Sequence, residues 1–180
     1  GAGHSIEILK AMGPNGKLVA IDQDQDALIA ATEVLKDYKN QVFFIKCNYA
    51  YLKQILDELG IDEVDGVLMD IGVSSHQLDE GERGFSYHQN AVLDMRMDTS
   101  QELTAKDIVN NYSKEDLETI FWNYGEEKWG MRIAEFIVNA REEKEIVTTF
   151  DLVEIIKAAI PKKVRMESKH PAKKIFQALR

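Results

Sequence analysis

Apolar runs that alternate with helical patterns, over the first 70 residues, constrain the fold more than any other feature. Three runs have the length and composition of buried strands, namely 18–21, 42–45 and 64–69. Amphipathic helical patterns precede and separate these runs, at 6–12, 28–35 and 52–59. Strands that alternate with helices predict an α/β fold in which right-handed crossovers join parallel strands.

Three features of the sequence fall where the predicted strands end. A glycine-rich turn at 1–5 leads into the first helix, Asp22 follows the first strand, and Asp70 follows the third. In a parallel sheet, ligands bind at the carboxyl ends of the strands. Backbone N–H groups of a glycine turn can approach a ligand closely, and an acidic residue after the next strand can accept both hydroxyls of a ribose. Asp22 lies 19 residues after Gly3, so the pattern predicts a site for an adenosine-containing cofactor.

The residues around the glycine turn discriminate between adenosine cofactors. Ile6 stands where the third glycine of a dinucleotide-binding turn would fall, and no Lys-Ser or Lys-Thr pair follows. A nicotinamide dehydrogenase and a nucleoside triphosphatase are therefore disfavoured. S-adenosylmethionine contains ribose and adenine without a pyrophosphate, and its cationic sulfonium is compatible with acidic surroundings. A cofactor of this kind therefore fits the sequence better than a dinucleotide or a nucleoside triphosphate.

A different pattern begins near residue 101. Thr104 and Ser113 are each followed three residues later by an aspartate, which is typical of helix starts. Thr149 can begin a further helix, which Pro161 ends. No strand pattern separates these helices. We expect a core at 1–100, an all-helical insert at 101–163 and a return to the core at 164–180.

The net charge of −9 hides an asymmetry along the chain. From Pro161 onward there are seven Lys or Arg residues against Glu167 alone, a net charge of +6. The preceding 160 residues contain 15 basic and 30 acidic residues. A basic segment on an acidic body is typical either of local contact with a polyanion or of a solvated helix face.

Cysteine content and hydropathy limit the classes of protein to which the chain can belong. The single cysteine, Cys47, excludes an internal disulfide framework and a cysteine-based zinc site, and we expect no metal. No apolar run approaches the ~20 residues of a membrane span, and no leader peptide is visible at the start. We therefore expect a cytoplasmic protein without a membrane partner. The oligomeric state stays open.

A stretch of roughly 30 residues after Asp70 lacks strong periodicity, which is uncommon for a loop without a function. Short motifs occur there and, in order, through nearly the whole chain: Gly-Ala-Gly-His-Ser at 1–5, Ala-Ile-Asp-Gln-Asp at 20–24, Asp-Gly-Val-Leu-Met-Asp-Ile-Gly-Val-Ser-Ser at 65–75, Gln-Leu-Asp at 77–79, Glu-Arg-Gly-Phe-Ser at 82–86, Leu-Asp-Met-Arg-Met-Asp at 93–98, Tyr-Gly-Glu-Glu at 124–127, Lys-His-Pro-Ala at 169–172 and Phe-Gln-Ala-Leu-Arg at 176–180. In these motifs the sequence resembles the S-adenosylmethionine-dependent methyltransferases that modify the N4 amino group of a cytidine in bacterial small-subunit ribosomal RNA, the MraW or RsmH family.

The resemblance implies a Rossmann-like class I methyltransferase fold in which the helical insert recognises the substrate. The implied cofactor-binding residues are Ala2, Gly3 and His4 as a backbone cradle, Asp22 at the ribose, Tyr49 beside the adenine, and Asp70 with Gln77 completing the pocket. Structural alternatives also exist, since Tyr49 can pack at the start of its helix, Asp70 can cap a turn and His4 can be a surface loop residue. Ala2 and His76 depart from the glycine and proline usual in the family. The resemblance also implies strands before the glycine turn and after Arg180, so we expect a fragment of a longer protein.

The exocyclic amine of cytosine is a poor nucleophile, because the lone pair of its nitrogen is shared with the ring, and hydrogen-bond acceptors near its N–H bonds would help the nitrogen to pyramidalise. The candidate acceptors are Asp70, Ser74, Ser75 and Asp94, and the sequence singles out none of them. The resemblance implies 16S ribosomal RNA or the small ribosomal subunit as the partner, and the candidate RNA contacts are Arg96, Lys162, Lys163 and Arg165. Arg96 alternatively pairs with Asp94 or Asp98. Two further hypotheses are methylation of a different amine substrate and an inert RNA-binding module of the same fold.

Overall fold

The computed structural model describes residues 2–167 and 170–180, and their contacts divide them into two units. The first unit extends to Gly72 and also includes Met97–Thr99. The second unit contains Val73–Arg96 and the chain from Ser100 onward. Gly1 and Lys169, which belong to two of the motifs, lie outside the described residues. The expected domain boundaries near residues 100 and 163 stay predictions.

The first unit contains a small parallel sheet flanked by helices. Its elements are α1 (Gly3–Met12), β1 (Leu18–Asp22), α2 (Gln25–Val34), β2 (Val42–Lys46) and α3 (Leu52–Glu58). The two strands pair in parallel from Leu18↔Val42 to Asp22↔Lys46. The Asp24 side chain accepts a hydrogen bond from the N–H of Asp26 and so caps α2, as its position after the strand predicts. The α/β class with parallel strands is therefore confirmed.

Apolar side chains from both helices and strands form the core of this unit. Ala2, Leu9, Leu35 and Val42 are buried together, and Ile6, Leu18, Ala20, Ala31, Tyr38 and Phe44 pack against them. The residue before β2 holds the turn between α1 and β1, because the side-chain amide of Gln41 donates hydrogen bonds to the carbonyls of Gly13 and Gly16. The predicted stripe of α1 and the two strands thus pack together in one core.

The third predicted strand, 64–69, does not form, and this prediction was wrong. Within the described residues the run belongs to no strand, and the side chains of Val64, Val67, Leu68 and Met69 are largely exposed. A strand is stable only when a neighbouring strand satisfies its N–H and C=O groups. The described sheet consists of β1 and β2 alone, and the run pairs with neither. Asp70 consequently follows an irregular segment.

The second unit is helical. Its helices are α4 (Ser75–Asp79), α5 (Ala105–Asn111), α6 (Lys114–Asn123), α7 (Gly130–Glu143), α8 (Thr149–Ala159), α9 (Lys162–Glu167) and α10 (Lys173–Leu179). The predicted starts of α5 and α6 are confirmed, because Thr104 and Ser113 accept hydrogen bonds from the N–H groups of Asp107 and Asp116. The predicted start of α8 is confirmed as well, because the helix begins at Thr149. Thr148 is its N-cap, whereas the Thr149 hydroxyl is buried and donates to the carbonyl of Gln89 at 2.6 Å.

Helix α7 packs on both α6 and α8, and α10 packs on α6. Their fully buried side chains include Leu117, Phe121, Ile133, Ile137, Leu152, Ile156 and Phe176. The aperiodic region before α5 also contributes fully buried side chains, Phe85 and Leu93. Among the described residues, no helix is both long and apolar enough to cross a bilayer.

Candidate functional site

The start of α1 is an open helix N-terminus in the first unit. Ala2 is the N-cap and its side chain is buried in the core, while its carbonyl accepts from the N–H of Ile6 at 3.0 Å. Within the described residues, no side chain makes a capping hydrogen bond to this helix. A Cβ placed on Gly3 would meet no atom of the described residues within 4 Å. The first-turn N–H groups of α1 therefore have no side-chain cap among the described residues, and N–H groups of this kind can bind a polar or anionic ligand.

The structure brings together two of the predicted site residues at this helix start. His4 Nδ1 lies 3.5 Å from Oδ2 of Asp70, and both side chains are about 70% exposed. This contact places Asp70 beside α1 even though the segment before it is not a strand. Two groups that can accept or donate hydrogen bonds thus stand next to the glycine turn.

Asp22 lies at the carboxyl end of β1, with its side chain exposed. Its Oδ1 accepts a hydrogen bond from the N–H of Asp24 at 2.9 Å, and its carbonyl accepts from the N–H of Cys47 at 3.1 Å. A short turn reverses the chain between α1 and β1, and the two elements pack together, so α1 begins at the edge where β1 ends. The predicted ribose-binding carboxylate and the glycine turn therefore belong to the same edge.

Polar residues after each strand are linked along this edge. Asn48, which follows β2, donates from Nδ2 to Oε1 of Gln23 at 3.3 Å, and Gln23 follows Asp22 in the chain. Tyr49 comes next, in a short turn before α3, and is 56% exposed. An exposed aromatic ring at this edge can stack on a planar base. Gln23 and Asn48 were not predicted as site residues, although their positions just after predicted strands indicate the same edge.

Residues 97–99 return to the first unit and contact the same edge. The Gln23 amide donates from Nε2 to the sulfur of Met97 at 3.4 Å. The ammonium of Lys46, the last residue of β2, lies 3.2 Å from Oδ1 of Asp98. Local sequence carries no sign of these contacts, because the partners are more than fifty residues apart. We call Met97–Thr99 the strap.

In the second unit, two predicted site residues cap a helix together. Ser74 accepts a hydrogen bond from the N–H of Gln77 at 3.2 Å, and the Gln77 side chain accepts from the N–H of Ser74 at 3.0 Å. This reciprocal pair is a capping box at the start of α4. Gln77 is buried, and its side-chain oxygen contributes to the start of α4 through this hydrogen bond. The side chain of Ser75 lies outside the described part of the chain.

Asp94 and Arg96 form a bidentate ion pair. Asp94 accepts from Arg96 Nε at 2.8 Å and from Nη2 at 2.7 Å, and the same guanidinium donates from Nη1 to the carbonyl of Gln101 at 2.6 Å. The hydrogen bonds from Arg96 hold the pKa of the Asp94 carboxyl below its usual range. Of the alternatives for Arg96, the structure shows pairing with Asp94.

The basic residues predicted to contact RNA lie on α9. The side chains of Lys162 and Lys163 are exposed, and Arg165 is partly buried. The Nε atom of Arg165 is buried and has no hydrogen-bond partner within the described ranges. These residues and Arg96 belong to the second unit, whereas the residues of the sheet edge belong to the first.

Comparison with known proteins identifies the family. The family model described as the MraW methylase family matches residues 1–180, the whole chain. The chain belongs to this family. Family membership agrees with the motifs and with the parallel α/β architecture of the first unit.

Three similar curated proteins are each called ribosomal RNA small subunit methyltransferase H. The chain is 61% identical to the protein from Finegoldia magna over 181 residues, 54% identical to that from Lachnospira eligens over 180 residues and 52% identical to that from Symbiobacterium thermophilum over 180 residues. Each alignment covers all of this chain and 57–58% of the relative. The chain therefore spans a little over half the length of the curated relatives it matches.

Proposed function

We propose that this chain is the cofactor-binding part of an S-adenosylmethionine-dependent methyltransferase that acts on the N4 amino group of a cytidine in 16S ribosomal RNA. One observation carries the proposal: in a chain of the MraW methylase family, the open start of α1, Asp22, Tyr49 and the His4–Asp70 pair belong to one edge of the sheet. The names of the three relatives support ribosomal RNA as the substrate class.

The residues at this edge fit an adenosyl cofactor. The absence of a Cβ at Gly3 leaves room for a ligand against the N–H groups of Gly3 and His4, with Ala2 fixing the turn from the core. The exposed Asp22 carboxylate can accept the ribose hydroxyls, and Tyr49 can stack beside the adenine. Asp70 completes the proposed pocket in the first unit, and Gln77, in the second unit, stays a candidate cofactor contact that the family resemblance implies. Bound S-adenosylmethionine supplies an electrophilic methyl group on a cationic sulfur.

The chain's own residues position the amine and hold its protons. Among the candidate acceptors, Asp94 directs its oxygens to Arg96, and the Ser74 hydroxyl accepts from a backbone N–H. Asp70 has an exposed carboxylate beside the helix start. We therefore propose that Asp70 accepts a hydrogen bond from the amino group, which helps the nitrogen to pyramidalise during an in-line transfer. The base must be turned out of any stack to reach it.

Recognition of the RNA is assigned to the helical region. We propose that residues 101–163 form the insert that recognises the substrate, between core segments at 1–100 and 164–180. The exposed Lys162 and Lys163, with Arg165, supply a local positive charge on an otherwise acidic chain. The proposed partner is the small ribosomal subunit, and the proposed location is the cytoplasm.

The full-length protein offers a direct test. Purified small subunits are incubated with the protein and S-adenosylmethionine labelled in its methyl group, and the nucleosides are then analysed. We expect labelled N4-methylcytidine. Label in another nucleoside or in protein favours a methyltransferase for a different amine. Retention of RNA without any binding of S-adenosylmethionine favours an inert RNA-binding module.

A further inference from the structure

One charged group at the sheet edge has no part in the proposed cofactor contacts. Lys46 is the register partner of Asp22 in the parallel pair of strands. Register partners on neighbouring strands lie about 4.8 Å apart and direct their side chains to the same face of the sheet. A lysine side chain is long enough to bridge that spacing. The Lys46 ammonium therefore has the carboxylate of Asp22 within its reach.

The structure shows this ammonium on a different carboxylate. Lys46 Nζ lies 3.2 Å from Oδ1 of Asp98, whose side chain is only 19% exposed, against 40% for Lys46. Asp98 belongs to the strap, which the hydrogen bond between Gln23 Nε2 and the sulfur of Met97 holds against the edge. Gln23 is in turn bound to Asn48 after β2. The acceptor for Lys46 is thus fixed in place by contacts with both strand ends.

Two carboxylates consequently compete for one ammonium. The Asp22 carboxylate already accepts one N–H, from Asp24, and an ammonium bound to it would occupy oxygens that ribose hydroxyls require. The Asp98 carboxylate is the more buried of the two, so its attraction for Lys46 is less screened by water. The strap therefore decides which acid Lys46 neutralises.

We propose that Asp98 is a positioning residue of the cofactor site, which holds the Lys46 ammonium and so leaves the Asp22 carboxylate to the ribose hydroxyls. The inference rests on the proposed binding of an adenosyl cofactor at Asp22. Its consequence is a specific pattern of double substitution. Without Asp98, Lys46 turns to Asp22 and competes with the ribose; without both residues, Asp22 is again available.

Calorimetry on the full-length protein tests this pattern with S-adenosylmethionine and S-adenosylhomocysteine. We expect Asp98→Asn to weaken binding by about tenfold, the loss of roughly one charge-assisted hydrogen bond. Lys46→Met alone leaves affinity within about twofold, and Asp98→Asn with Lys46→Met restores it to that range. If the ion pair had a purely structural role, both single variants and the double variant would lose affinity to a similar extent, and the second substitution would restore nothing.

A matched control removes an ion pair elsewhere in the same unit. Asp57→Asn abolishes the exposed pair between Lys53 and Asp57, which are 2.8 Å apart on α3, and should leave affinity unchanged. Thermal unfolding of every variant confirms that it is folded. The inference is overturned when Asp98→Asn binds like the parent protein, or when the double variant binds no better than Asp98→Asn.

A crystal structure of the ligand-free Asp98→Asn protein gives a readout that does not depend on cofactor. The Lys46 ammonium is expected within about 4 Å of an Asp22 carboxylate oxygen, the distance of an ion pair. An ammonium that stays away from Asp22 refutes the inference. Failure of the parent protein to bind either adenosyl compound refutes the proposed function together with the role of Asp98. Binding with the wrong pattern among the variants refutes the role of Asp98 alone.

Discussion

The carboxylate of Asp22 is the single group on which the proposed cofactor contact depends most. It is exposed at the end of β1, and a backbone N–H from Asp24 orients one of its oxygens. Asp22→Ala removes a charged acceptor for two hydroxyls, so affinity for S-adenosylmethionine should fall by roughly 10- to 100-fold in calorimetry. Asp37→Ala removes the same charge from an exposed position after α2 and should have no effect. Equal affinities for the two variants would contradict the ribose role.

Gly84, in the Glu-Arg-Gly-Phe-Ser motif, is required by backbone geometry. Its φ is +73°, and an added Cβ would lie 2.3 Å from the carbonyl oxygen of Val92. Gly84→Ala must therefore shift the segment around Val92, and we expect a loss of about 2 kcal/mol or more in the free energy of unfolding. Gly66→Ala serves as the control, because a Cβ there meets no atom of the described ranges 2–167 and 170–180 within 4 Å. Chemical denaturation of the full-length variants measures both losses, and similar values would refute this account.

At the scale of the element, α5 begins with a capping box that has a consequence for pH dependence. Thr104 and Asp107 exchange hydrogen bonds between side chain and backbone, and the bond from the Thr104 hydroxyl holds the pKa of the Asp107 carboxyl below its usual value. We expect Thr104→Ala to lower the free energy of unfolding by about 1 kcal/mol at neutral pH. Thr119→Ala, at an exposed threonine of α6, is the matched control.

The sign of the pH effect follows from the lowered pKa of Asp107. A carboxyl with a lower pKa in the folded protein contributes stability that is present above its unfolded pKa of about 3.9 and is lost as the pH falls through the folded value. The difference between the parent protein and Thr104→Ala should therefore shrink below about pH 4. Denaturation curves between pH 3 and 7 measure it, and a difference independent of pH would contradict the coupling.

Elements that depend on local signals could be predicted from the sequence, and those that depend on distant partners could not. The caps at Thr104 and Ser113 lie within the same turn as the N–H groups they satisfy, so a short motif reveals them. The run 64–69 has the apolar composition of a strand, but a strand also needs a neighbour that pairs with it. Within the described residues that neighbour is absent, and the apolar side chains stay exposed.

At the scale of the whole molecule, the same distinction separates the predicted from the unpredicted parts of the candidate site. The glycine turn and Asp22 follow from the order of strands and helices, because that order fixes which edge each strand end reaches. The ion pair of Lys46 with Asp98 follows only from tertiary structure, since the strap returns to the first unit after a long excursion of the chain. The spacing of residues in the sequence does not indicate that the strap contacts the first unit.

The uneven distribution of charge leads to the last prediction. Lys162 and Lys163 are exposed on α9, within a segment of net positive charge on an acidic chain. If they contact phosphates, Lys162→Gln with Lys163→Gln should weaken binding of the full-length protein to small subunits. The slope of log affinity against log salt concentration should become shallower by up to about 1.5, because binding with fewer phosphate contacts releases fewer counterions.

A control with the same loss of charge separates contact from net charge. Lys10→Gln with Lys36→Gln removes two exposed lysines of the first unit, which pair with Glu7 and Glu33 at 2.8 and 2.9 Å. If net charge alone mattered, both double variants would bind more weakly, and the slope of log affinity against log salt concentration would change by the same amount in each. Contact with phosphate changes the slope only for the α9 variant. Equal slopes for the parent protein and the α9 variant would make this face a solvated helix surface, and RNA recognition would then have to be sought elsewhere in the full-length protein.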